Sequence, residues 1–402
     1  MILSDKQKQG LETTVARFKA RERFTVISGY AGSGKSTLVK FIVAALGFKE
    51  EEGDVAFCAP TGKAAQVLVR MGHKDATTIH RLLYEWIPKE NGKYLKKRKW
   101  PLPKLVICDE VSMVSMEMAK ELLSHSESYI IFCGDPAQLP PISKDDDNHL
   151  LDNPHVFLDE VHRQALGSDI IKLSLDVRQG RNIRVMQGND VQIYAKEQFV
   201  EGMLTWADQI LCATNRTRQE LNQQMINLLG FTKPIDVGMK IICNRNNWDI
   251  ISQQGEPIVN GTIGFIKKLR EDKVYLPQYF GVEPYDSVVV DLETETGDLY
   301  TDLVFDRQEI LTGEPVISDP RLIYQINKYY STDWAKENGL VNPLPISANF
   351  GYAITTHRAQ GSQWGKVLYV EERFPFEREE HQKHVYTGLT RAENKLVVIK
   401  KG

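Results

Sequence analysis

The chain has 402 residues, of which 42% are hydrophobic and 26% charged, the balance of an ordinary globular protein of about two to four domains. Fifty basic residues against 53 acidic ones give a formal charge of −3. This balance excludes a protein that binds nucleic acid over its whole surface, but it is compatible with a local basic track.

The first 150 residues alternate between helix-like and strand-like patterns. Helices are predicted over 5–20 and Ser36–Leu46, and strands over Phe24–Ser28, Val55–Cys58, Leu105–Cys108 and Tyr129–Cys133. Strands that alternate with helices indicate a parallel sheet with both faces covered.

The same style continues over 151–230 and returns after about residue 345. Strands are predicted here at Gln209–Cys212, Val367–Val370 and Leu396–Ile399, with a helix after Thr217. We therefore expect residues 1–150 to form one α/β domain, and residues 151–230 and 346–402 to close into a second.

Residues 231–345 have a different pattern, with short β-branched runs and turn signals such as Asn260-Gly261. The predicted strands are Lys240–Cys243, Pro257–Lys267, Lys273–Leu276, Ser287–Leu292 and Leu299–Phe305. Such a pattern predicts a small antiparallel barrel or meander inserted into the second domain. The polar stretch from about 305 to 345 has no pattern that assigns it.

A basic segment lies between the second and third of these predicted strands of the first domain. Residues 89–99 carry six basic residues and one acidic residue, Asn91-Gly92 is a hairpin signal, and Trp86, Tyr94 and Trp100 flank or interrupt the run. Either a solvated surface loop or a basic, aromatic hairpin that touches nucleic acid fits this composition. The acidic run 144–147 is interpreted as solvated surface.

The cysteines are predicted to be buried core residues. They form no closely spaced pair and lie in or beside short apolar runs, at Cys58, Cys108, Cys133, Cys212 and Cys243. A disulfide framework or a zinc site is therefore not expected. No apolar run approaches the roughly 18 residues of a membrane span, and residues 1–10 lack a signal-peptide core. We expect a cytoplasmic protein without membrane contact.

The run from Gly29 to Ser36, GYAGSGKS, fits the phosphate-binding pattern G-x-x-x-x-G-K-[ST] between a strand and a helix. Its glycines let backbone amides wrap a triphosphate, while the lysine reaches the β- and γ-phosphates and the last serine ligates Mg²⁺. The predicted ATP-binding residues are Gly29, Gly32, Ser33, Gly34, Lys35, Ser36 and Thr37.

Asp109 and Glu110 follow the apolar run Leu105–Cys108. At the carboxyl end of a buried strand, Asp109 would hold Mg²⁺ and Glu110 would orient and deprotonate an attacking water. A kinase needs no such water-activating acid, so the pair favours hydrolysis. Gln138, after the strand Tyr129–Cys133, is placed to sense the γ-phosphate, although a plain proline-rich loop also fits its surroundings.

The order of these motifs along the chain resembles that of superfamily 1 DNA helicases, in the RecD-like and phage Dda-like branch. In the first domain the resemblance rests on Gln7, Ala59–Ala65, Thr77–His80, Asp109–Met113 and Gly134–Pro140. In the second domain it rests on Glu160–Gln164, Ala213–Asn215, Tyr352–Ser362 and Val385–Ala392.

The resemblance implies two RecA-like domains with ATP between them, a hairpin pin at about 84–103 and an SH3-like subdomain over 231–345. It also implies that Gln7 reads adenine, that Arg163 reaches the γ-phosphate and that Arg391 is an arginine finger. Arginines at the transferring phosphoryl group would stabilise its charge.

The DNA contacts expected from the resemblance fall on both domains and on the hairpin. They are Pro60, Thr61, Lys63 and His80 on the first domain, Trp86 and Tyr94 on the hairpin, and Thr356, His357 and Gln360 on the second domain. Such a grip would tolerate any base sequence and weaken with salt. His80 and His357 also fit core histidines, and Tyr94 also fits an exposed loop aromatic.

The function expected from the resemblance is an ATP- and Mg²⁺-dependent DNA helicase that moves 5′→3′ on single-stranded DNA. The alternatives are a translocase that displaces proteins with little unwinding, a P-loop kinase, and a nucleotide-gated binding module without catalysis. Expected partners are single-stranded DNA, junctions of single- and double-stranded DNA, and a single-stranded-DNA-binding protein or replisome component. The resemblance implies a monomer that works in phage or bacterial replication, recombination or repair.

Overall fold

The structure is a computed structural model that describes residues 3–88, 94–98, 101–140, 149–160, 167–374 and 377–400. The chain divides into two compact units. One contains Met1–Leu83, Lys99–Arg218 and Ile354–Gly402, and the other contains Tyr84–Arg98 and Gln219–Ala353. None of the helices in the described ranges has the length and apolar character of a membrane span.

The strands of the described residues follow in chain order. They are β1 (Phe24–Gly29), β2 (Val55–Ala59), β3 (Thr77–Thr78), β4 (Tyr84–Pro88), β5 (Tyr94–Arg98), β6 (Leu105–Cys108), β7 (Tyr129–Gly134), β8 (Val156–Leu158), β9 (Met186–Gln187), β10 (Val191–Ala195), β11 (Gln209–Cys212), β12 (Lys240–Cys243), β13 (Asn247–Ile251), β14 (Pro257–Ile258), β15 (Ile263–Val274), β16 (Tyr285–Thr294), β17 (Leu299–Asp306), β18 (Ala348–Phe350), β19 (Ala353–Thr355), β20 (Trp364–Glu371) and β21 (Ala392–Lys400).

The α-helices of the same residues connect these strands. They are α1 (Asp5–Lys19), α2 (Lys35–Leu46), α3 (Gly62–Arg70), α4 (Ile79–Leu83), α5 (Met116–Leu123), α6 (Asp169–Arg178), α7 (Gly202–Trp206), α8 (Asn215–Leu228), α9 (Arg307–Thr312), α10 (Pro320–Tyr330), α11 (Asp333–Glu337), α12 (Thr356–Ala359) and α13 (Arg378–Leu389).

The first sheet is parallel, with the strand order β3-β2-β6-β7-β1-β8. Its core joins the apolar strands to α2 and α3, and includes fully buried Ile27, Leu38, Leu105 and Ile131. Because the strands run in one direction, the segments that follow β1, β2, β6 and β7 meet at one edge. The parallel α/β sheet predicted for this part of the chain is confirmed. We call this sheet and α1–α5 the first α/β half.

The second sheet has the order β19-β11-β20-β21-β10-β9. The pairs β11–β20, β20–β21 and β10–β21 are parallel, and the short edge strand β9 is antiparallel to β10. Residues before 213 and after 352 thus share one sheet. We call this sheet, with α6, α7, α12 and α13, the second α/β half.

The inserted segment forms an antiparallel sheet with the order β17-β16-β15-β12-β18. Two strand predictions here are wrong. The run Pro257–Lys267 is divided by a turn in which the Thr262 N–H donates to the Val259 carbonyl at 2.9 Å. The run Lys273–Leu276 is not a separate strand, because β15 pairs with β16 without ending until Val274.

The unassigned stretch from about 305 to 345 contains three helices, α9, α10 and α11. The Asp319 side chain caps α10 by accepting from the Arg321 N–H, and Pro320 occupies the first turn. This aspartate–proline pair is a helix-start signal that the sequence analysis did not use. β18 pairs with β12, so residues 348–350, assigned to the second α/β domain from sequence, belong to the inserted sheet.

β4 and β5 pair antiparallel as a hairpin, with Trp86 opposite Lys96 and Pro88 opposite Tyr94, and β5 lies within the basic segment. Residues 89–93 and 99–100 of the segment lie outside the described residues, as does the acidic run 144–147. The cysteines are free and buried, as predicted.

Candidate nucleotide and DNA site

The phosphate-binding loop connects β1 to α2. β1 ends at Gly29 and α2 begins at Lys35, and between them Gly32 and Gly34 adopt φ of 76° and 79°. These left-handed positions favour glycine. The Lys35 Nζ atom donates to the carbonyls of Gly29 at 2.6 Å and of Tyr30 at 3.2 Å, within the loop itself.

Two features of the loop fit a bound phosphate. A side chain at Gly29 would place Cβ 2.6 Å from the Ser33 Oγ atom, so the cradle is shaped for glycine. The Ser33 hydroxyl is buried, and within the described ranges no hydrogen-bond partner reaches it. With the N-terminus of α2 and an exposed Ser36 beside them, these groups suit the phosphates of ATP. Thr37 lies next to Ser36 in the first turn of α2 and is half-buried.

Gln7 ties α1 to the phosphate-binding loop. Its Nε2 atom donates to the Gly34 carbonyl at 3.2 Å, and its Oε1 atom accepts from the Ser4 N–H at 2.9 Å. Ser4 caps α1 in return, so the pair forms a capping box. The side chain is 2% exposed, and the structure therefore places Gln7 beside the loop.

Asp109 and Glu110 follow β6 at the same edge of the sheet. The Asp109 N–H donates to the Cys58 carbonyl at 2.9 Å, and Asp109 Oδ1 accepts from the Glu110 N–H at 2.9 Å. Glu110 has a left-handed φ of 53°, a conformation uncommon outside glycine that turns the chain sharply after the strand.

Burial sets the charge behaviour of this acid pair. It raises the pKa of Glu110 to about 6, with the negative charge of Asp109 adding to the effect and the positive charges of Arg391 and Lys35 opposing it. Burial also raises the pKa of Asp109, against the hydrogen bond from Glu110 and the charge of Lys35. A carboxyl with a raised pKa beside a phosphate-binding loop is typical of a catalytic centre.

The oxygen atoms of Ser36 and Asp109 suit Mg²⁺, which also binds substrate phosphates, better than a metal ion that is bound by protein side chains alone. Within the described ranges, no group of three or more His, Cys, Asp and Glu side chains is arranged to hold a metal ion. Mg²⁺ keeps several waters and binds through one or two protein oxygens together with substrate phosphates. The Ser36 hydroxyl and the Asp109 carboxylate supply oxygens of that kind.

The loop after β7 carries the predicted γ-phosphate sensor. Asp135 is 1% exposed and its Oδ1 atom accepts from the Ala137 N–H at 3.0 Å. The Gln138 Oε1 atom is buried and has no hydrogen-bond partner within the described ranges. A buried amide oxygen without a partner is costly, which is consistent with a side chain held ready for a ligand.

The second α/β half is hydrogen-bonded to this sensor loop. The Leu139 N–H donates to Thr387 Oγ1 at 3.0 Å, and the Leu139 carbonyl accepts from Gln360 Nε2 at 2.9 Å. Gln360 is 3% exposed. The DNA contact predicted for Gln360 therefore does not fit this arrangement, because its amide is buried against the sensor loop.

Arg391 is also buried, at 4% exposure. Its guanidinium donates to the carbonyls of Thr387 at 3.0 Å and Ser362 at 3.3 Å, and to Thr390 Oγ1 at 3.1 Å. The structure thus holds the predicted arginine finger within the second α/β half, close enough for its charge to lower the pKa of Glu110. Arg163 lies outside the described residues.

Two further residues of the second α/β half reach the phosphate-binding loop and were missed from the sequence. The Tyr386 hydroxyl accepts from the Ala31 N–H at 3.1 Å and donates to Asp135 Oδ2 at 2.7 Å. The Arg178 guanidinium carbon lies 3.3 Å from the centre of the Tyr30 ring, a cation–π contact. A cavity of about 250 Å³ lies beside these side chains.

The predicted DNA contacts of the first α/β half gather around the start of α3. Pro60 follows β2 and is half-buried, and Thr61 caps α3 by accepting from the Ala64 N–H at 3.2 Å. Lys63 is half-buried and His80, on α4, is exposed. His80 is therefore a surface residue rather than a core histidine.

The DNA motif of the second α/β half touches this region at Gly361. A Cβ on Gly361 would lie 2.9 Å from the Ala64 Cβ atom, and Gly361 has a φ of 73°. Only glycine allows both the close approach and this φ without strain. The two predicted DNA motifs, one from each half, are thus in contact.

Thr356 and His357 lie at the start of α12. Thr356 is fully buried and its hydroxyl donates to the Cys212 carbonyl at 3.2 Å, so its expected DNA contact does not fit this arrangement either. His357 is half-buried, and burial lowers its pKa. Its ring centre lies 5.7 Å from that of the fully buried His384. Trp86 and Tyr94 lie on β4 and β5.

Two protein-family models match the chain. A model described as an AAA domain matches residues 2–204, half of the 402-residue chain. A model described as a UvrD-like helicase C-terminal domain matches residues 350–399. The first match covers all elements of the first α/β half and continues into the second, and the second match covers the last elements of the second half.

Curated relatives include the ATP-dependent DNA helicase Dda of enterobacteria phage T4, which is 27% identical over 64% of this chain and 64% of its own length. The ATP-dependent RecD2 DNA helicase of Deinococcus radiodurans is 26% identical over 97% of this chain and 49% of its own length. The chain therefore spans about half to two thirds of the length of these relatives.

Among solved structures, the Pif1 helicase from Bacteroides in complex with ADP-AlF3 and single-stranded DNA aligns with a TM-score of 0.55 and 15% identity. The alignment covers 100% of this chain and 93% of that one, and it shows a shared RecA-like fold. The phosphate-binding loop, the acid pair, the two family models and the relatives agree: the chain belongs to the AAA domain family and is similar to superfamily 1 helicases of the RecD and Dda type.

Proposed function

We propose that the chain is an ATP-dependent DNA helicase. It hydrolyses ATP at the edge of the first sheet, moves 5′→3′ along single-stranded DNA and separates duplex strands, by coupling hydrolysis to closure between the two α/β halves. The direction rests on the family resemblance.

One observation carries this proposal. The phosphate-binding loop and the sensor loop of the first half are both hydrogen-bonded to α13 of the second half, through Ala31 and Leu139. A nucleotide bound there would therefore touch groups that the second half holds in place. Simple nucleotide binding would not need this connection, whereas a motor that converts phosphate chemistry into movement does.

The roles in hydrolysis divide between the halves. Lys35 would bind the β- and γ-phosphates, Glu110 would take a proton from the attacking water, and Gln138 would sense the γ-phosphate. Ser36 and Asp109 would hold Mg²⁺, which supplies charge stabilisation to the phosphates. Arg391, together with Arg163, would stabilise the transferring phosphoryl group, and Gln7 would read the adenine.

The DNA track would cross the start of α3 and the region around Gly361. Pro60, Thr61, Lys63 and exposed His80 would contact the strand on the first half, and half-buried His357 on the second. The contacts would combine phosphate charge neutralisation with base stacking. Thr356 and Gln360 would stabilise the backbone next to the DNA track without contacting DNA, since both side chains are buried and hydrogen-bonded to backbone carbonyls.

The hairpin β4–β5 would act as the pin that splits the duplex, with Trp86 and Tyr94 meeting the bases at the junction. The inserted antiparallel sheet would be an SH3-like subdomain. Partners would be single-stranded DNA and its junctions with duplex, and the protein would work as a monomer beside a single-stranded-DNA-binding protein or a replisome component.

The first experiment measures ATP hydrolysis with and without single-stranded DNA, then unwinding of duplexes with a 5′ or a 3′ tail. We expect strong stimulation by DNA and unwinding only from the 5′ tail. Glu110→Gln serves as the inactive reference, and Glu117→Gln, at an exposed position on α5, as the matched control. A rate of ATP hydrolysis that single-stranded DNA does not change would refute the helicase proposal. Transfer of phosphate from ATP to a small molecule would favour a kinase.

A second experiment separates unwinding from translocation. Deletion of residues 89–99 should abolish strand separation while leaving DNA-stimulated hydrolysis intact. If the intact chain hydrolyses ATP on DNA and displaces bound protein without unwinding, the translocase alternative is correct. If the deletion leaves unwinding unchanged, the hairpin is not the pin.

A further inference from the structure

One buried hydroxyl joins three elements of the larger unit. Tyr386 on α13 accepts from the Ala31 N–H at 3.1 Å and donates to Asp135 Oδ2 at 2.7 Å. Ala31 belongs to the phosphate-binding loop, and Asp135 opens the sensor loop. The hydroxyl accepts one hydrogen bond and donates another, and it thereby connects the second α/β half to both loops of the first.

The surroundings make this connection specific. Tyr386 is 2% exposed, so water does not compete for its hydroxyl. Burial and the negative charge of Asp135 raise the pKa of Tyr386 well above its usual range, which keeps the hydroxyl protonated as a donor. A hydrogen bond to a carboxylate is stronger than one between neutral groups.

The same segment carries the groups that the proposed chemistry needs. Thr387, the next residue, accepts from the Leu139 N–H at 3.0 Å, and its carbonyl accepts from the Arg391 guanidinium at 3.0 Å. Tyr386 lies in the last turn of α13, and Arg391 follows two residues after that helix ends. A helical turn is stiff, so fixing Tyr386 on the loops also fixes the place of Arg391.

We propose that Tyr386 is a positioning residue for ATP hydrolysis, whose hydroxyl holds α13 on the phosphate-binding and sensor loops so that Arg391 meets the transferring phosphoryl group. This inference rests on the proposed ATPase function. Arg178 supports the same contact by stacking on Tyr30, the neighbour of Ala31.

The test compares Tyr386→Phe with Tyr129→Phe in the full chain. Tyr129 is a matched control because its buried hydroxyl bonds Thr25 at 2.5 Å at the opposite end of the strands, away from the loops. We expect Tyr386→Phe to lower kcat about tenfold, the value of one charged hydrogen bond, with KM for ATP changed less than about twofold. Tyr129→Phe should leave both unchanged.

A double-mutant cycle then tests the bond itself. In an Asp135→Asn background, Tyr386→Phe should lower kcat by less than about twofold, because the shared hydrogen bond is already weakened. Binding of a nonhydrolysable ATP analogue should be retained in each variant, and thermal melting monitors folding.

The outcomes are distinct. If the unaltered chain hydrolyses ATP and Tyr386→Phe resembles Tyr129→Phe in kcat, the inference is refuted and the proposed function stands. A lowered melting temperature without a fall in kcat, or effects of the two substitutions that multiply, also refutes it by leaving only a structural role. If the unaltered chain hydrolyses no ATP, both proposals fall.

Discussion

The two α/β halves share a parallel sheet architecture but differ in how they present polar groups. In the first half, Lys35, Asp109 and Glu110 are only partly buried at the edge of the sheet. In the second half, Tyr386 and Arg391 are 2% and 4% exposed, and each is held by hydrogen bonds. The acid pair and Lys35 are thus open to a ligand at the edge of the first sheet, whereas Tyr386 and Arg391 are hydrogen-bonded to the first half and within the second.

This difference indicates a division of labour. Groups that do chemistry must be reachable by substrate and need perturbed pKa values, as at the acid pair. Groups that transmit movement need fixed geometry, which burial and hydrogen bonds provide. Substitutions of the acid pair should therefore impair hydrolysis without loss of stability, whereas substitutions of buried groups in the second half should impair folding or the placement of Arg391.

Glu110→Gln should have the largest effect on activity. A small effect would contradict the division of roles between the two halves. Removing the proposed general base should lower ATP hydrolysis by about 10²–10⁴-fold, while the free energy of unfolding and binding of a nonhydrolysable ATP analogue stay near those of the unaltered chain. Steady-state kinetics and urea unfolding measure these quantities. Activity within tenfold of the unaltered chain would assign water activation to another residue.

Glu372→Ala should show the opposite behaviour in the second half. The buried Glu372 carboxylate accepts from the N–H groups of Ala213 at 2.7 Å and Thr214 at 3.1 Å, and from the Thr217 hydroxyl. Its loss should lower the free energy of unfolding by about 2–4 kcal/mol. Glu393→Ala, on the exposed part of β21, is the control and should change little.

His384, in the second half, predicts a contribution to the pH dependence of stability. Burial, with the nearby His357 and His381, lowers its pKa from 6.5 to about 3. The folded protein therefore holds it neutral, while the unfolded chain takes up a proton below about pH 6.5, so stability is full above that pH and is lost as the pH falls toward 3.

Between pH 7 and pH 5 the loss attributable to His384 should be roughly 2 kcal/mol. Urea unfolding at both pH values, compared with His384→Asn, measures it. The variant should lose less stability over this range. An equal loss in both proteins would mean that other groups titrate there.

Gly361→Ala should have the smallest effect and tests the contact between the halves. Ala at φ 73° is strained, and its Cβ would lie 2.9 Å from the Ala64 Cβ atom. Gly339 is a matched control, because it has a φ of 68° and open space around it. We expect Gly361→Ala to cost about 1 kcal/mol more than Gly339→Ala. Combining it with Ala64→Gly should recover part of that difference.

Features encoded locally were predictable. The phosphate-binding loop follows from residue types at fixed spacing, and the strands before Tyr30, Asp109 and Asp135 from apolar runs, because both depend on neighbours in sequence. The helix α10 could also have been found, since Asp319 and Pro320 are a start signal. Leu322, Ile326 and Tyr329 recur along it at helical spacing, a second signal that the sequence analysis did not use.

Features that depend on distant neighbours were not predictable. The sequence places Gln360 and Thr356 in a DNA motif, yet their burial depends on Leu139 and Cys212, residues far away along the chain. The contact of Tyr386 with Ala31 joins residues 355 positions apart. Hydrogen-bond partners at such separations follow from packing of whole elements, and no local pattern encodes them.

The pairing of β11 with β20 has a consequence for synthesis of the chain. Residues 213–363 separate these strands, and the chain segment between β10 and its partner β21 is longer still. At about 5–20 residues per second, a ribosome needs on the order of 10 s to make that stretch. During this time β10 and β11 have unpaired edges, which attract other chains. The nascent protein therefore passes through an interval in which aggregation competes with folding, and slower translation through the insertion would lengthen it.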